Sequence, residues 1–149
     1  SRRVPELPEE DLELRVRHRM QRRVLIEGAQ SVPYEALVHE AALRIRVGGR
    51  ETSRAQLSTL LEVMENEHVT VRVIPFDLEE FADVTAAMVY AGGAVPRLDT
   101  VVRDGPQGAL FVEGEAQLGV FRTLFRRVEA VALEPRRSRD LIHRLAKEL

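Results

Sequence analysis

The amino-acid sequence predicts an α+β fold, with a mostly antiparallel sheet of about five strands flanked by about four helices. Three observations support this class: apolar residues recur at helical spacing, short β-rich runs lie between the helical segments, and Gly-Gly pairs mark sharp turns. We find no internal repeat and no linker, so we expect a single domain over residues 1–149. A chain of this length buries roughly 68 to 70% of its unfolded surface, which is enough for a core without disulfides.

The first predicted helix runs from about Glu9 to Glu27. Pro8 stands where a helix can begin, acidic residues occupy the first turn, and Gly28 follows the last turn. Apolar side chains recur at every fourth position and predict a stripe that packs on the core: Leu12, Val16, Met20 and Val24. The arginines beside this stripe, Arg15, Arg19, Arg22 and Arg23, are interpreted as a solvated face whose side chains extend over the core, and the alternative is a site for an anion or a partner.

The next segment predicts a strand, a turn, a helix and a second strand. A strand is expected over Tyr34–Glu40, and the Gly48-Gly49 pair permits a sharp reversal after it. Ser53, followed three residues later by Gln56, has the form of a capping box and predicts the start of a helix. The β-rich run Val69–Ile74 predicts the second strand.

The remaining half of the chain predicts three strands and two helices. The strands are expected over Thr85–Ala91, Thr100–Arg103 and Ala109–Glu113, and glycine-containing turn signals separate them. Helical apolar spacing follows over Gly114–Leu133, and Pro135 begins a last helix to about Lys147.

Composition narrows the classes of protein. The chain has no cysteine, no apolar run of the roughly 18 to 20 residues that span a bilayer, and no apolar signal core at its N-terminus, so we expect a cytoplasmic protein without membrane partners. The formal net charge is -2, and the arginines are interleaved with acids. A nucleic-acid-binding domain usually shows a basic excess on one face, so we do not expect this segment itself to bind DNA.

No motif in the sequence predicts catalysis or a cofactor. The four histidines are scattered without the i, i+4 spacing of a helical metal pair, the serines lack a G-x-S-x-G context, and the glycine pairs lack a phosphate-loop pattern. We therefore expect no catalytic residue, no metal and no cofactor.

The strongest polar constellation lies near the Gly-Gly turn. It consists of Glu40, Arg44 and Gln56, and it includes Arg19 and Arg22 if the first helix covers that edge. A carboxylate beside guanidinium groups can anchor a ligand or a partner, or it can form a structural ion pair that orients helix against sheet. We expect Glu40 to pair with one of these three arginines.

Three aromatic residues predict an interface. Phe111, Phe121 and Phe125 provide more aromatic surface than one strand and one helix need, and aromatic residues are enriched at interface hot spots. The sequence thus predicts a homodimer or a docked partner at this surface.

The order of short motifs resembles a known family. E-A-A-L-R at Glu40–Arg44, the Gly48-Gly49 pair, and V-x-V-I-P-F ending at Phe76 occur in the order found in the C-terminal domain of actinobacterial helix-turn-helix (Xre-type) transcriptional regulators. An arginine-rich helix and a closing A-L, Ser and aliphatic pattern extend the resemblance to about Leu145. The tyrosine and acid that the family often carries after the second glycine turn are replaced near Arg103 and Asp104.

The resemblance implies an effector- or partner-binding domain of a DNA-binding regulator. The full regulator would contact DNA through an N-terminal helix-turn-helix that this chain lacks, so the chain is expected to be a fragment or a stand-alone relative. This domain would engage a small cognate partner protein, as in antitoxin-like pairs, or a small-molecule effector. The alternative is a small-molecule-binding protein, or an enzyme without a recognised motif, of a biosynthetic pathway.

Overall fold

A computed structural model describes residues 8–27, 32–78, 87–105 and 108–149 of the chain. Its helices are α1 Glu9–Gln21, α2 Val24–Glu27, α3 Glu40–Arg44, α4 Arg50–Val63, α5 Glu115–Val131 and α6 Pro135–Glu148. Its strands are β1 Tyr34–His39, β2 Val69–Ile74, β3 Met88–Ala91, β4 Thr100–Gly105 and β5 Gly108–Val112, with a 3₁₀ turn at Pro96–Leu98. The predicted α+β class is confirmed.

The five strands form two sheets and not one. β1 and β2 pair in parallel, from Tyr34 beside Val69 to His39 beside Ile74. β3, β4 and β5 form an antiparallel sheet in that order. The expected single sheet is therefore wrong in its connectivity. The reason is that α3 and α4 lie between β1 and β2, and a helical crossover brings the second strand back beside the first in the same direction.

The main core lies between the parallel sheet and two helices. Val73 of β2 is fully buried, and α4 and α6 cover it. The buried apolar residues of this cluster are Leu43, Leu57, Leu61, Val73, Leu141, Ile142, Leu145 and Leu149. A smaller cluster joins the end of β2 to α5 through Ile74, Val128 and Ala132. The C-terminal end of β2 therefore has a buried apolar residue on each side, Val73 and Ile74, whereas Thr70 and Arg72 earlier in the strand are half-buried.

The helix predicted over residues 9–27 is broken, and its apolar stripe is not in the core. α1 ends at Gln21, and a turn at positions 22 and 23 separates it from α2. No residue of α1 is buried, and the stripe residues Leu12, Val16, Met20 and Val24 are all exposed. The apolar spacing is helical as predicted, but this helix is not packed on the core of the described residues.

The capping box predicted at Ser53 is also wrong. Gly48 and Gly49 have positive φ angles of 75° and 93°, and α4 begins directly after them at Arg50. Ser53 therefore lies inside the helix, where its buried Oγ has no hydrogen-bond partner among the described residues. Glycine adopts these φ angles without steric cost, and with Gly49 as N-cap the helix begins four residues earlier than a cap at Ser53 would allow.

Several predicted features lie outside the described residues. These are the helix end at Gly28, the start of the third predicted strand at positions 85 and 86, and part of the turn before the fifth strand at positions 106 and 107. In the described ranges, no helix is both long enough and apolar enough to cross a membrane.

Candidate functional site

Glu40 connects the ends of the two strands of the parallel sheet through its carboxylate. It follows β1 directly, and its carboxylate is buried, with the residue only 7% exposed. Oε1 accepts a hydrogen bond from Nε of Arg44 at 2.7 Å, one helical turn further on, and forms an ion pair with Nη2 of the same side chain at 2.7 Å. Oε2 accepts the backbone N–H of Phe76 at 3.1 Å, just beyond β2. Both carboxylate oxygens therefore have partners within the fold, and the expected pairing of Glu40 with an arginine is confirmed for Arg44.

The start of α3 is held by a second contact. His39 Nδ1 accepts the backbone N–H of Ala41 at 3.1 Å and acts as the N-cap of the helix. The His39 ring also lies edge-on against Phe76, with ring centroids 5.3 Å apart. The E-A-A-L-R segment and the V-I-P-F segment thus meet in space, so one physical role of these two sequence motifs is to join β1, α3 and β2.

The other residues of the predicted polar constellation lie elsewhere on the surface. Arg19 is exposed on α1, Arg22 is exposed in the turn after it, and Gln56 is exposed on α4. The hydrogen bonds and ion pairs of Glu40 in the described residues come from Arg44 and Phe76. A ligand- or partner-binding role for these five residues remains a prediction, and the geometry of Glu40 itself is that of a structural ion pair.

The predicted aromatic interface includes one strongly exposed side chain. Phe111 on β5 is 64% exposed, and Phe121 and Phe125 on α5 are half-buried. The strand register places Phe111 beside Val102, and Val102 beside Val89. These three residues form one row across the antiparallel sheet, which we call the outer row. Val89 is 50% exposed, so the outer row presents apolar surface at both edges of the sheet.

The opposite face of this sheet is covered. Val101 and Leu118 are both fully buried, and α5 contacts β4. Successive side chains of a strand point to opposite faces, so Val102 and its row lie on the side away from α5. Among the described residues, the three-stranded sheet therefore has one face packed on a helix and an apolar row on its other face, in which Val89 and Phe111 are exposed.

A polar network that the sequence did not reveal joins the antiparallel sheet to α5. The Tyr90 hydroxyl donates to Asp99 Oδ2 at 2.6 Å and accepts from Arg122 Nε at 2.6 Å. Asp99 Oδ1 accepts the backbone N–H of Gly93 at 2.9 Å. Arg122 also reaches Glu115 Oε1 at 2.7 Å and the backbone carbonyl of Pro96 at 2.8 Å.

The network shifts the acidity of its members in opposite directions. The hydrogen bond from Tyr90 and the backbone N–H of Gly93 lower the pKa of Asp99 below its usual value. Burial, followed by the hydrogen bond to Asp99, raises the pKa of Tyr90. Hydrogen bonds to Glu115 and Tyr90 raise the pKa of Arg122. The favoured charges are an ionised Asp99, a neutral Tyr90 and a cationic Arg122, which fix the loop between β3 and β4 against α5.

A comparison with protein-family models found a match over almost the whole chain. A family model described as a domain of unknown function, DUF5753, matches residues 1–144. The chain belongs to the DUF5753 family. No curated protein and no solved structure matches this sequence.

Two further polar clusters of this DUF5753 domain have a structural role, because their hydrogen bonds connect elements of the fold. Arg72 of β2 donates to the backbone carbonyls of Leu133 and Ala132, each at 3.0 Å, and so binds the C-terminal end of α5. Ser138 Oγ accepts the Val73 N–H at 2.9 Å and donates to the Leu133 carbonyl at 3.1 Å. Both clusters connect β2 with the segment between α5 and α6.

The described part of the DUF5753 domain shows no group of three or more histidine, cysteine or acidic side chains that could hold a metal ion. A hollow of about 230 Å³ lies between α2 and α4, lined by Arg23, Ile26, Thr59, Glu62, Val63 and Asn66. Asn66 also donates to the Ile26 carbonyl at 2.8 Å, which holds α2 against this edge of α4. The hollow is smaller than the roughly 300 to 1,000 Å³ of typical small-molecule pockets.

Proposed function

We propose that this chain is the partner-binding domain of a DNA-binding transcriptional regulator. In this proposal a helix-turn-helix domain N-terminal to these residues contacts DNA, and the DUF5753 domain binds a small cognate protein, as in antitoxin-like pairs. The observation that carries the proposal is the outer row of Val89, Val102 and Phe111, an apolar strip on the open face of the antiparallel sheet.

A protein partner suits this surface better than a small molecule does. The outer row is part of a sheet face that is not enclosed by a second layer in the described residues, and Phe111 at its edge is mostly exposed. An open aromatic anchor surrounded by aliphatic side chains is typical of a protein-protein hot spot, whereas small-molecule sites are concave. The effector-binding alternative has less support, because the hollow between α2 and α4 has a volume of only about 230 Å³, which is smaller than a typical small-molecule pocket.

The edge strand adds a second means of recognition. Among the described strands β5 pairs with β4, and its sequence Gly108–Val112 contains no charged residue. Exposed edges of sheets are usually protected by charges, prolines or bulges, and an unprotected edge can accept an added strand. A partner that pairs with β5 through its backbone would also bury Phe111 and Leu110.

Charge supports a protein and not DNA as the direct ligand. The net charge is -2, and acidic residues alternate with arginines along most of the chain. Phosphate contacts require a basic excess at the binding face. DNA binding in the proposed regulator is therefore assigned to the separate helix-turn-helix domain.

The test is calorimetric binding of the small protein encoded by the neighbouring gene to this chain. We expect Phe111→Ser to weaken binding at least about tenfold, because hot-spot truncation costs roughly 2 kcal/mol or more. The matched control is Val47→Ser, which removes another exposed apolar side chain after α3. If both variants bind as the wild type does, the outer row is not the partner surface, and if the neighbouring protein does not bind at all, the proposed partner class is wrong.

A further inference from the structure

The helix α1 presents an apolar stripe that the described core does not use. Leu12, Val16 and Met20 are 52%, 53% and 52% exposed, and no residue of α1 is buried. At roughly 100° per residue, their four-residue spacing keeps the three side chains within about 80° of arc. The stripe is therefore one continuous face and not a scatter of isolated apolar residues.

The charges of α1 are separated along its length. Every charged residue from Glu9 to Glu13 is acidic, and every arginine of the helix lies in the half that follows: Arg15, Arg17 and Arg19. Acids near the N-terminus and bases near the C-terminus complement the helix dipole, but that effect is confined to the first and last turns. Glu13, Arg15 and Arg17 lie in the middle of the helix, so the dipole accounts for only part of the separation.

The geometry points to a second copy of this chain as the occupant of the stripe: we propose that α1 pairs antiparallel with α1 of another molecule. In this orientation the acidic half of each helix lies against the basic half of its partner, whereas a parallel pair would place acid on acid and arginine on arginine. The three apolar side chains then face one another across a two-fold axis near Val16, with Leu12 opposite Met20. Such an isologous contact closes as a dimer and does not propagate.

The size of the contact sets its strength. A helix of 13 residues is about 20 Å long, so one helix pair buries less surface than a stable dimer interface needs. We therefore expect a concentration-dependent dimer whose affinity falls with salt, because the cross-helix charges are exposed. Between about 0.1 M and about 1 M salt the Debye length falls from about 10 Å to about 3 Å, which screens these charges.

Charge reversal tests the pairing by sedimentation equilibrium of the full 149-residue chain. Glu9→Arg with Glu13→Arg gives the helix a net positive charge, with only Glu10 and Asp11 still acidic, and Arg15→Glu with Arg19→Glu makes it largely acidic. We expect each double variant alone to have a dimer dissociation constant at least about tenfold higher than the wild type, since several exposed attractions become repulsions. An equimolar mixture of the two variants should recover a dimer.

The matched control has the same charge change at a different site. Arg136→Glu with Arg137→Glu alters two exposed arginines at the start of α6 and should leave the wild-type dimer intact. Circular dichroism and urea unfolding should be unchanged in the α1 variants, because α1 contributes no buried residue. Loss of dimer in a folded variant therefore reports on the contact itself.

Disulfide trapping determines the orientation, since the chain has no native cysteine. In the antiparallel pair, Leu12→Cys mixed with Met20→Cys gives the mixed disulfide, and Val16→Cys gives a symmetric one. A wild-type chain that stays monomeric at all accessible concentrations overturns the proposal, as does a dimer that resists charge reversal. Efficient trapping of Leu12→Cys with itself overturns the antiparallel arrangement.

Discussion

The substitution Glu40→Gln tests whether the carboxylate at the β1–α3 junction is structural. The carboxylate accepts one hydrogen bond from Arg44, with which it also forms an ion pair, and one from the backbone of Phe76. A glutamine at this position keeps one acceptor oxygen and replaces the other with an NH2 donor, which faces either the guanidinium or the backbone N–H. One donor is then left facing another donor at a site where the wild-type residue is buried.

The magnitude lies between that of a surface pair and that of a fully buried pair. Breaking a fully buried ion pair costs roughly 3 to 5 kcal/mol, and an exposed pair contributes roughly 0 to 1 kcal/mol. Here the Arg44 side chain is 44% exposed, so water can solvate the guanidinium when the charge opposite is lost. We expect the free energy of unfolding to fall by about 2 kcal/mol, a value also typical of leaving one buried polar group unpaired.

The assay is urea unfolding of the wild type and of Glu40→Gln, with Arg44→Gln and the double variant completing a cycle. With a slope of about 2 kcal/mol per molar urea, the expected loss moves the midpoint by about 1 M. Arg44→Gln should cost less than Glu40→Gln, because Glu40 keeps its bond to Phe76. A Glu40→Gln midpoint equal to that of the wild type would refute the structural role. Unchanged stability with lost partner binding would make Glu40 a recognition residue.

Four further predictions address buried and charged groups. Ser138→Ala should lower the free energy of unfolding by about 2 kcal/mol, measured in urea, since it leaves the buried Val73 N–H without its acceptor, whereas the Leu133 carbonyl keeps its bond from Arg72; a change below about 0.5 kcal/mol would contradict this. Ser53→Ala should leave stability unchanged or raise it by up to about 1 kcal/mol, because the buried Oγ has no partner and alanine favours a helix; a clear loss would show an undetected bond. Asp99→Asn should be less stable than the wild type at pH 7, and this difference should shrink as the pH falls below about 4, because a depressed carboxyl pKa stabilises the fold only where the unfolded group is ionised; a difference independent of pH would refute the charge assignment. The isolated chain should show no salt-dependent affinity for duplex DNA by fluorescence anisotropy, and a steep fall of affinity with salt would contradict the charge argument.

Local signals in the sequence located most elements. All five strands and the helices over residues 115–131 and 135–148 lie within a few positions of their predicted bounds. Proline at the first position of α6 and the positive-φ glycines before α4 act through the backbone of their own neighbourhood, so their effect can be read without knowing the rest of the fold. The pairing of Glu40 with Arg44 could also be predicted from the sequence, because residues four apart on a helix are neighbours.

Only part of the predicted site could be inferred from the sequence, because local signals do not show which distant residues come together. Arg19, Arg22 and Gln56 were grouped with Glu40 on the assumption that the first helix covers that edge, and the structure instead leaves all three exposed. The network of Tyr90, Asp99 and Arg122 had no sequence signal, since its members come from two elements and a loop. Side chains so far apart in sequence become neighbours only after the sheet and α5 have packed.

What the sequence by itself determined was therefore the set of helices and strands, together with their apolar faces, because these depend on residue spacing and on local backbone preferences. Only the tertiary structure determined which of these apolar faces is buried against another element. The stripe of α1 and the core face of α4 both show helical apolar spacing, yet only the second is buried. The β-rich segments likewise did not indicate which strand each one pairs with. The crossover through α4 places β2 parallel to β1, in a sheet separate from the other three strands. Pairing and burial are properties of two surfaces at once, so a pattern along one segment of chain specifies only half of each contact.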